Sequence, residues 1–120
     1  MRKILLTTII ALFSMAGAMA QENYDFSAVS GGNTLYYKIT DAESTPKTVA
    51  VVSELINYPY YYYIKPTGTL TIPETVSNGG TTYSVTSIGD WAFAYCDGIT
   101  GSLTIPNSVD SIGKDAFSHC

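Results

Sequence analysis

Two short stretches after residue 23 alternate apolar and polar side chains, which is the period of a half-buried β-strand. Apolar residues stand at positions 24, 26 and 28 in the first stretch and at positions 35, 37 and 39 in the second. The residues between them, at 30–33, read Ser-Gly-Gly-Asn and have the composition of a tight turn. The pattern therefore predicts a β-hairpin.

Two more strands are predicted downstream of the hairpin. Residues 48–55 are rich in valine, and residues 60–64 are four tyrosines and an isoleucine that lie between Pro59 and Pro66. Proline lacks an N–H donor, so it marks the ends and edges of strands. Strands about every ten residues, without a long helical pattern, predict a mainly β fold and exclude a doubly wound nucleotide-binding fold.

The second half of the chain contains a repeat. Residues 68–76 recur as 101–109 with six of nine positions identical, and residues 85–96 recur as 109–120 with seven of twelve identical. The offsets of 33 and 24 residues differ by an insertion near 77–84, where Asn78-Gly79-Gly80 predicts a tight turn. A period of 24 residues lies in the range of leucine-rich solenoids. We call 68–96 the first coil and 101–120 the second coil.

Each coil has a physical interpretation. Leu-Thr-Ile-Pro forms a short strand that proline ends, Ser-Ile-Gly forms a second extended piece, and one helical turn begins at Asp90 or Lys114. The Ala-Phe pair of this turn points inward, and equivalent residues of the two coils stack in register. The predicted repeat core consists of Leu70, Ile72, Ile88, Phe93, Cys96, Leu103, Ile105, Ile112, Phe117 and Cys120.

The two cysteines allow two interpretations. Stacked in adjacent coils, Cys96 and Cys120 would lie about 4.8 Å apart, within the range of a disulfide. Parallel side chains in register do not naturally give the crossed dihedral angle of that bond, and buried free thiols are the favoured alternative.

The first twenty residues have the plan of a secretory signal peptide. Arg2 and Lys3 form a basic start, residues 4–13 are mostly apolar, and Ala18-Met19-Ala20 is a cleavage pattern. The apolar run is shorter than the roughly 20 residues that span a bilayer. We therefore expect a secreted or cell-surface protein, cleaved after Ala20, without a transmembrane segment in the mature chain.

The net charge of the chain limits the kinds of molecule that it is expected to bind. Six basic and ten acidic residues give a net charge of -4, and without Arg2 and Lys3 the balance is four against ten, or -6. Nucleic-acid binding needs clustered positive charge, so we expect no nucleic-acid partner. Two cysteines and one histidine are too few for a usual zinc site, and the aspartates lack the spacing of a calcium loop, so no metal or cofactor is expected.

Aromatic residues supply the candidate contacts with a partner, which are Trp91, Tyr60, Tyr61, Tyr62 and Tyr63. Clustered aromatics serve as sugar platforms or as hot spots of protein interfaces. The alternative for the tyrosines is a strand with two rings on each face. Trp91 stands where the second coil has Asp115, and a position that accepts aspartate is expected to be exposed.

No group in the chain suggests catalysis. His119 has no accompanying nucleophile elbow of the Gly-x-Ser-x-Gly type, and the first coil has Tyr95 at the same position. Phosphate-binding and zinc-protease motifs are also absent from the sequence. We therefore expect a protein that is not an enzyme.

The repeat resembles the BspA-like subtype of the leucine-rich repeat family, through L-T-I-P-x-[ST]-V and V-x-S-I-G-x-x-A-F-x-x-C. The resemblance implies a secreted or surface protein of an anaerobic bacterium that acts in adhesion or protein binding. It implies a signal peptide at 1–20, a β-rich capping region at 21–66 and repeats at 67–120. Arrays of this family usually hold many repeats, so the solenoid is expected to be truncated.

Three functions remain open at this point. The first is a binding or adhesion module for a protein or glycan partner. The second is the carbohydrate-binding front end of a secreted hydrolase, without catalytic groups of its own. The third is an inactive fragment of a longer surface protein.

Mass spectrometry of exported material should find Gln21 as the first residue, because the apolar run ends at the Ala18-Met19-Ala20 cleavage pattern. Recovery of a membrane-bound form that still begins at Met1 would contradict the signal peptide.

Overall fold

The structure is a computed structural model that describes residues 21–62 and 64–120. The predicted signal peptide, residues 1–20, lies outside the described residues, as does Tyr63. Within the described part of the chain, no helix is long and apolar enough to cross a membrane.

The described chain is mainly β, as predicted. The larger sheet has the strand order β1-β2-β3-β6-β5, with β8 also pairing with β6, and a small second sheet joins β4 to β7. The strands are β1 (Phe26–Ser30), β2 (Asn33–Asp41), β3 (Lys47–Val52), β4 (Leu70–Thr71), β5 (Thr75–Asn78), β6 (Thr81–Ile88), β7 (Leu103–Thr104) and β8 (Ser111–Ile112).

Both predicted tight turns join antiparallel strands. β1 and β2 pair from Phe26 with Tyr37 to Ser30 with Asn33, around a Gly-Gly turn. β5 and β6 pair around the second Gly-Gly turn. This hairpin begins at Thr75, two residues before the insertion predicted near 77–84. All four turn glycines have a positive φ, which glycine adopts without steric cost.

The strand predicted at 60–64 is wrong for the described residues of that stretch. Tyr60 has a φ of 72°, a left-handed conformation that cannot continue a strand. Its N–H donates to the Asn57 carbonyl at 2.9 Å, and its own carbonyl accepts from the Leu55 N–H at 2.8 Å. These bonds close a compact loop instead. We call residues 53–62 the tyrosine loop.

The predicted stacking of the two coils is confirmed. Leu70 pairs with Leu103 in the small sheet, and the Ile72 N–H donates to the Thr104 carbonyl at 3.0 Å, which continues that register to Ile105. In the large sheet, Ile88 pairs with Ile112. The ring centroids of Phe93 and Phe117 lie 5.3 Å apart with planes 15° from parallel.

The predicted single helical turns are absent from the described residues. Within the first coil, the N–H groups of residues 92, 94 and 96 close local turns onto residues 89, 91 and 93. The N–H groups between them, at 91, 93 and 95, donate instead to the carbonyls of residues 114, 116 and 118 in the second coil. An α-helix bonds its successive N–H groups four residues back along one chain. Here half of the donors are used between coils, so a helix cannot form.

The N-terminal strands continue the stack above the first coil. β3 pairs with β6 in parallel, with Val51 opposite Ile88, and the Gly89 N–H donates to the Val51 carbonyl at 2.7 Å. β3 thus lies on one side of β6 as β8 lies on the other. This arrangement agrees with a capping role for residues 21–66, which remains a prediction.

The backbones of the two coils approach each other closely at Gly113. A Cβ added to Gly113 would lie 2.5 Å from the Asp90 backbone nitrogen and 2.7 Å from the Gly89 carbonyl carbon. At the equivalent Gly89, an added Cβ would meet a flexible group first, the Val52 Cγ1 at 3.2 Å. Glycine is therefore required more strictly at position 113 of the second coil than at position 89 of the first.

The predicted repeat core is buried in the first coil and partly exposed in the second. Leu70, Ile72, Ile88, Phe93 and Cys96 are at most 1% exposed. Leu103 is 44% and Ile112 52% exposed, Cys120 is also exposed, and Ile105 and Phe117 are half-buried. The prediction of core positions is wrong for Leu103, Ile112 and Cys120, because no described residue covers their far side as the second coil covers the first.

Replacing Phe93 by alanine should lower the free energy of unfolding by about 3–5 kcal/mol, because its ring is fully buried between packed neighbours. The Phe117→Ala variant should lose clearly less, because that ring is covered on one side. Denaturant unfolding of residues 21–120 measures both values. Equal losses would show that the two rings are equally well packed.

Replacing Gly113 by alanine should cost about 1–3 kcal/mol, because a backbone or a whole coil must shift to admit the methyl group. The matched Gly89→Ala variant should cost less, since a valine methyl can move. Urea unfolding of the two variants compares them, and a larger loss at Gly89 would contradict the close approach at Gly113.

Candidate binding surface

Five aromatic side chains from three segments meet on the outer surface of the coils. Four of them form parallel pairs: Trp91 with Tyr60 at 5.5 Å between ring centroids, Tyr60 with Tyr95 at 6.2 Å, and Tyr95 with His119 at 4.6 Å. Tyr58 meets Tyr60 and Tyr95 edge-on, at 6.2 and 5.1 Å. We call these five residues the aromatic column.

The tyrosine loop carries Tyr58 and Tyr60 into the column, and two side chains hold the loop in place. The Tyr61 hydroxyl donates to the Ala92 carbonyl of the first coil, and the Tyr62 N–H donates to Glu54 Oε1 at 2.8 Å. The first bond joins the loop to the buried first coil, and the second closes the loop on its own buried Glu54 side chain. The rings of the column therefore stand on a fixed backbone, which reduces the entropy lost on binding.

The structure divides the predicted partner contacts. Trp91, which the sequence predicts to be exposed, is half-buried and belongs to the column with Tyr60, whereas Tyr62 is 56% exposed and Tyr63 lies outside the described residues. Tyr61 is 5% exposed, so its prediction as a partner contact is wrong. Burial, the largest cause, raises the pKa of Tyr61 well above its ordinary value, and this hydroxyl acts as an anchor for the loop.

Backbone conformation aims the column outward. Positive φ values occur at Tyr60, Trp91, Tyr95, Asp115 and His119, all between 54° and 72°. This region is uncommon for residues other than glycine and is unusual for bulky side chains. Trp91 with Asp115, and Tyr95 with His119, are equivalent positions of the two coils, so the repeat itself imposes the conformation. Such strained positions concentrate at functional sites.

Charged groups border the column. Asp90 Oδ1 accepts the Lys114 backbone N–H at 2.7 Å, and Lys65 Nζ donates to the Tyr95 carbonyl at 2.8 Å. Asp115 is exposed, and among the described residues its carboxylate takes part in no hydrogen bond or ion pair. The surface thus combines aromatic rings with an unneutralised carboxylate.

The thiols next to the column are free and protonated at neutral pH. Burial, followed by the neighbouring Cys120, raises the pKa of Cys96 to about 12. Burial also raises the pKa of Cys120, whose Sγ donates to the Phe93 carbonyl at 3.1 Å. A reactive cysteine needs a lowered pKa, so the geometry favours structural thiols over nucleophiles.

Sequence reasoning missed three members of the column as contacts, namely Tyr58, Tyr95 and His119. Tyr95 and His119 occupy the same position of the repeat, which is a signal that they lie one above the other. The position of Tyr60 between Trp91 and Tyr95 has no such signal, because the tyrosine loop reaches the first coil through tertiary contacts.

Two solved structures of bacterial leucine-rich repeat proteins match this chain. A crystal structure of a leucine-rich repeat protein from Bacteroides capillosus is similar, with 28% identity and a TM-score of 0.54 over 80% of this chain and 60% of that one. A leucine rich cell surface protein from Faecalibacterium prausnitzii matches at 18% identity and a TM-score of 0.41, over 82% of this chain and 29% of that one. The chain therefore spans about 60% of the length of the first relative. A search of curated proteins finds no match.

The family model described as "BspA type Leucine rich repeat region (6 copies)" matches residues 56–120. This match begins inside the tyrosine loop and includes both coils. It covers more than half of the 120 residues, and the chain therefore belongs to the BspA-type leucine-rich repeat family.

Proposed function

We propose that the protein is an exported binding module that holds a partner protein against its aromatic column. The observation that carries the proposal is the parallel arrangement of Trp91, Tyr60, Tyr95 and His119 on a backbone fixed by hydrogen bonds. Export is supported by the signal-peptide pattern of residues 1–20. Family membership supports a role in binding rather than catalysis.

The geometry of the rings favours a protein over a glycan. A sugar ring stacks on a free aromatic face, but Tyr60 and Tyr95 are each already stacked with two other rings of the column. These contacts leave fewer free ring faces for a sugar than the number of rings suggests. Rigid, amphipathic tyrosine and tryptophan side chains of this kind dominate the binding energy of protein interfaces.

Two exposed tyrosines of the same loop provide a matched test. Tyr58, 68% exposed, belongs to the column, and Tyr62, 56% exposed, is not one of its five residues. Binding of residues 21–120 is measured by surface plasmon resonance on immobilised extracellular-matrix proteins and on an oligosaccharide array. Circular dichroism of each variant confirms that it is folded.

The Tyr58→Ala and Trp91→Ala variants should weaken binding to a captured protein by about tenfold or more, as expected for central aromatic hot spots. The Tyr62→Ala variant should bind within about twofold of the unmodified protein. Binding to the oligosaccharides alone, lost in the column variants, would support the glycan alternative. Equal losses for Tyr58→Ala and Tyr62→Ala would contradict the proposed surface.

A further inference from the structure

One face of the Trp91 indole has no aromatic partner. Tyr60 stacks on the other face, with planes 7° from parallel, and within residues 21–62 and 64–120 no second ring stacks on Trp91. Tyr95, four residues later in the same coil, has His119 of the second coil stacked on it. The equivalent neighbour of Trp91 in the second coil is Asp115, because 91 and 95 align with 115 and 119.

Hydrogen bonds fix the register of Trp91 and Asp115. The Trp91 N–H donates to the carbonyl of Lys114, the residue before Asp115, at 2.9 Å. The same pattern recurs at Tyr95, whose N–H donates to the carbonyl of Ser118, the residue before His119, at 2.8 Å. An exposed, short carboxylate thus occupies the position where a stacked ring would stand, and Trp91 is half-buried, so part of its side chain is open to solvent.

The carboxylate of Asp115 is available to a ligand. The residue is exposed, and its carboxylate has no hydrogen bond or ion pair with any described residue, including the adjacent Lys114. The nearby Asp90 differs, because its Oδ1 already accepts the Lys114 backbone N–H. Asp115 therefore combines a free carboxylate with the position next to Trp91 in the stack.

An indole face next to a carboxylate is a cation-binding arrangement. Cations are attracted to the face of tryptophan more than to other rings, and a carboxylate adds a charge-assisted hydrogen bond. Residues 21–120 carry four lysines and ten acidic groups, so a basic partner is also favoured at longer range. Arginine fits best, because its planar guanidinium can stack on the indole while its N–H groups meet the carboxylate.

We propose that Trp91 and Asp115 together bind an arginine side chain from a basic segment of the partner protein. The proposal rests on the function proposed above and names the chemistry of the partner at that surface. It assigns to the Asp115 position a role in selecting charge, while the rings of the column supply contact area.

Trp91 is the single tryptophan of the chain, so its indole N–H resonance reports on this site alone. The experiment titrates ¹⁵N-labelled residues 21–120 with a glycine-rich peptide that contains two arginines. The control peptide replaces both arginines with citrulline, which keeps the planar shape and removes the charge. Asp115→Asn is the test variant, and Asp110→Asn is its control, because Asp110 is an exposed acid of the same coil whose N–H donates to the Thr86 carbonyl of β6 and which has no hydrogen bond or ion pair with a described residue of the column.

The arginine peptide should give a saturable shift of the Trp91 resonance, and the citrulline peptide should bind more weakly. The Asp115→Asn variant should bind the arginine peptide with an affinity about two- to fivefold lower, which is the effect of losing one exposed ion pair. Asp110→Asn should leave the affinity unchanged, and added salt should weaken binding in the unmodified protein.

Equal shifts with arginine and citrulline, or equal effects of the two asparagine variants, would overturn the arginine proposal. In the first of these outcomes the column still binds a peptide, so the proposed protein-binding function would stand. A failure of both peptides to shift Trp91, together with no loss of protein binding in Tyr58→Ala, would overturn both proposals.

Discussion

Alternate backbone N–H groups of the first coil point along the stack, and the rest of the structure depends on this alternation. Trp91, Phe93 and Tyr95 donate to the second coil, while the N–H groups between them close local turns. To make that alternation possible, Trp91 and Tyr95 adopt a left-handed conformation. Phe93 lies buried inside, whereas Trp91 and Tyr95 remain at the surface. The same bonds that join the coils therefore place the rings of the column.

The N-terminal region satisfies the polar groups at the other end of the stack. The buried Asn33 side chain donates to the carbonyls of Thr67 and Thr69, at 3.0 and 3.1 Å, and accepts the Thr67 N–H at 3.0 Å. Ser30 Oγ donates to the Thr71 carbonyl at 2.8 Å. Buried or strand-edge backbone groups must find such partners. The turn of the first hairpin thus binds the start of the first coil, which physically supports its interpretation as part of a cap.

The sequence predicted the features that depend on local chemistry or on repetition. The Gly-Gly pairs predicted the turns of both hairpins. Identical residues 24 or 33 positions apart predicted that Ile88 stacks on Ile112 and Leu70 on Leu103. The sequence predicts a strand at 60–64 because tyrosine favours strands. A buried hydrogen bond from Tyr61 to Ala92, made across the fold, determines the conformation of this segment instead. Tertiary contacts of this kind leave no periodic trace in a sequence.

Each coil has two outward positions, which are 91 and 95 in the first coil and 115 and 119 in the second. Tryptophan and tyrosine occupy them in the first coil, and aspartate and histidine occupy them in the second, on a nearly identical backbone. The left-handed conformation is held by main-chain bonds that do not depend on which side chain stands there. Substitution at these positions can therefore change recognition while the core and the register stay intact. Recognition and stability therefore depend on different atoms of each coil, and each coil contributes two outward sites at a spacing of about 4.8 Å along the stack.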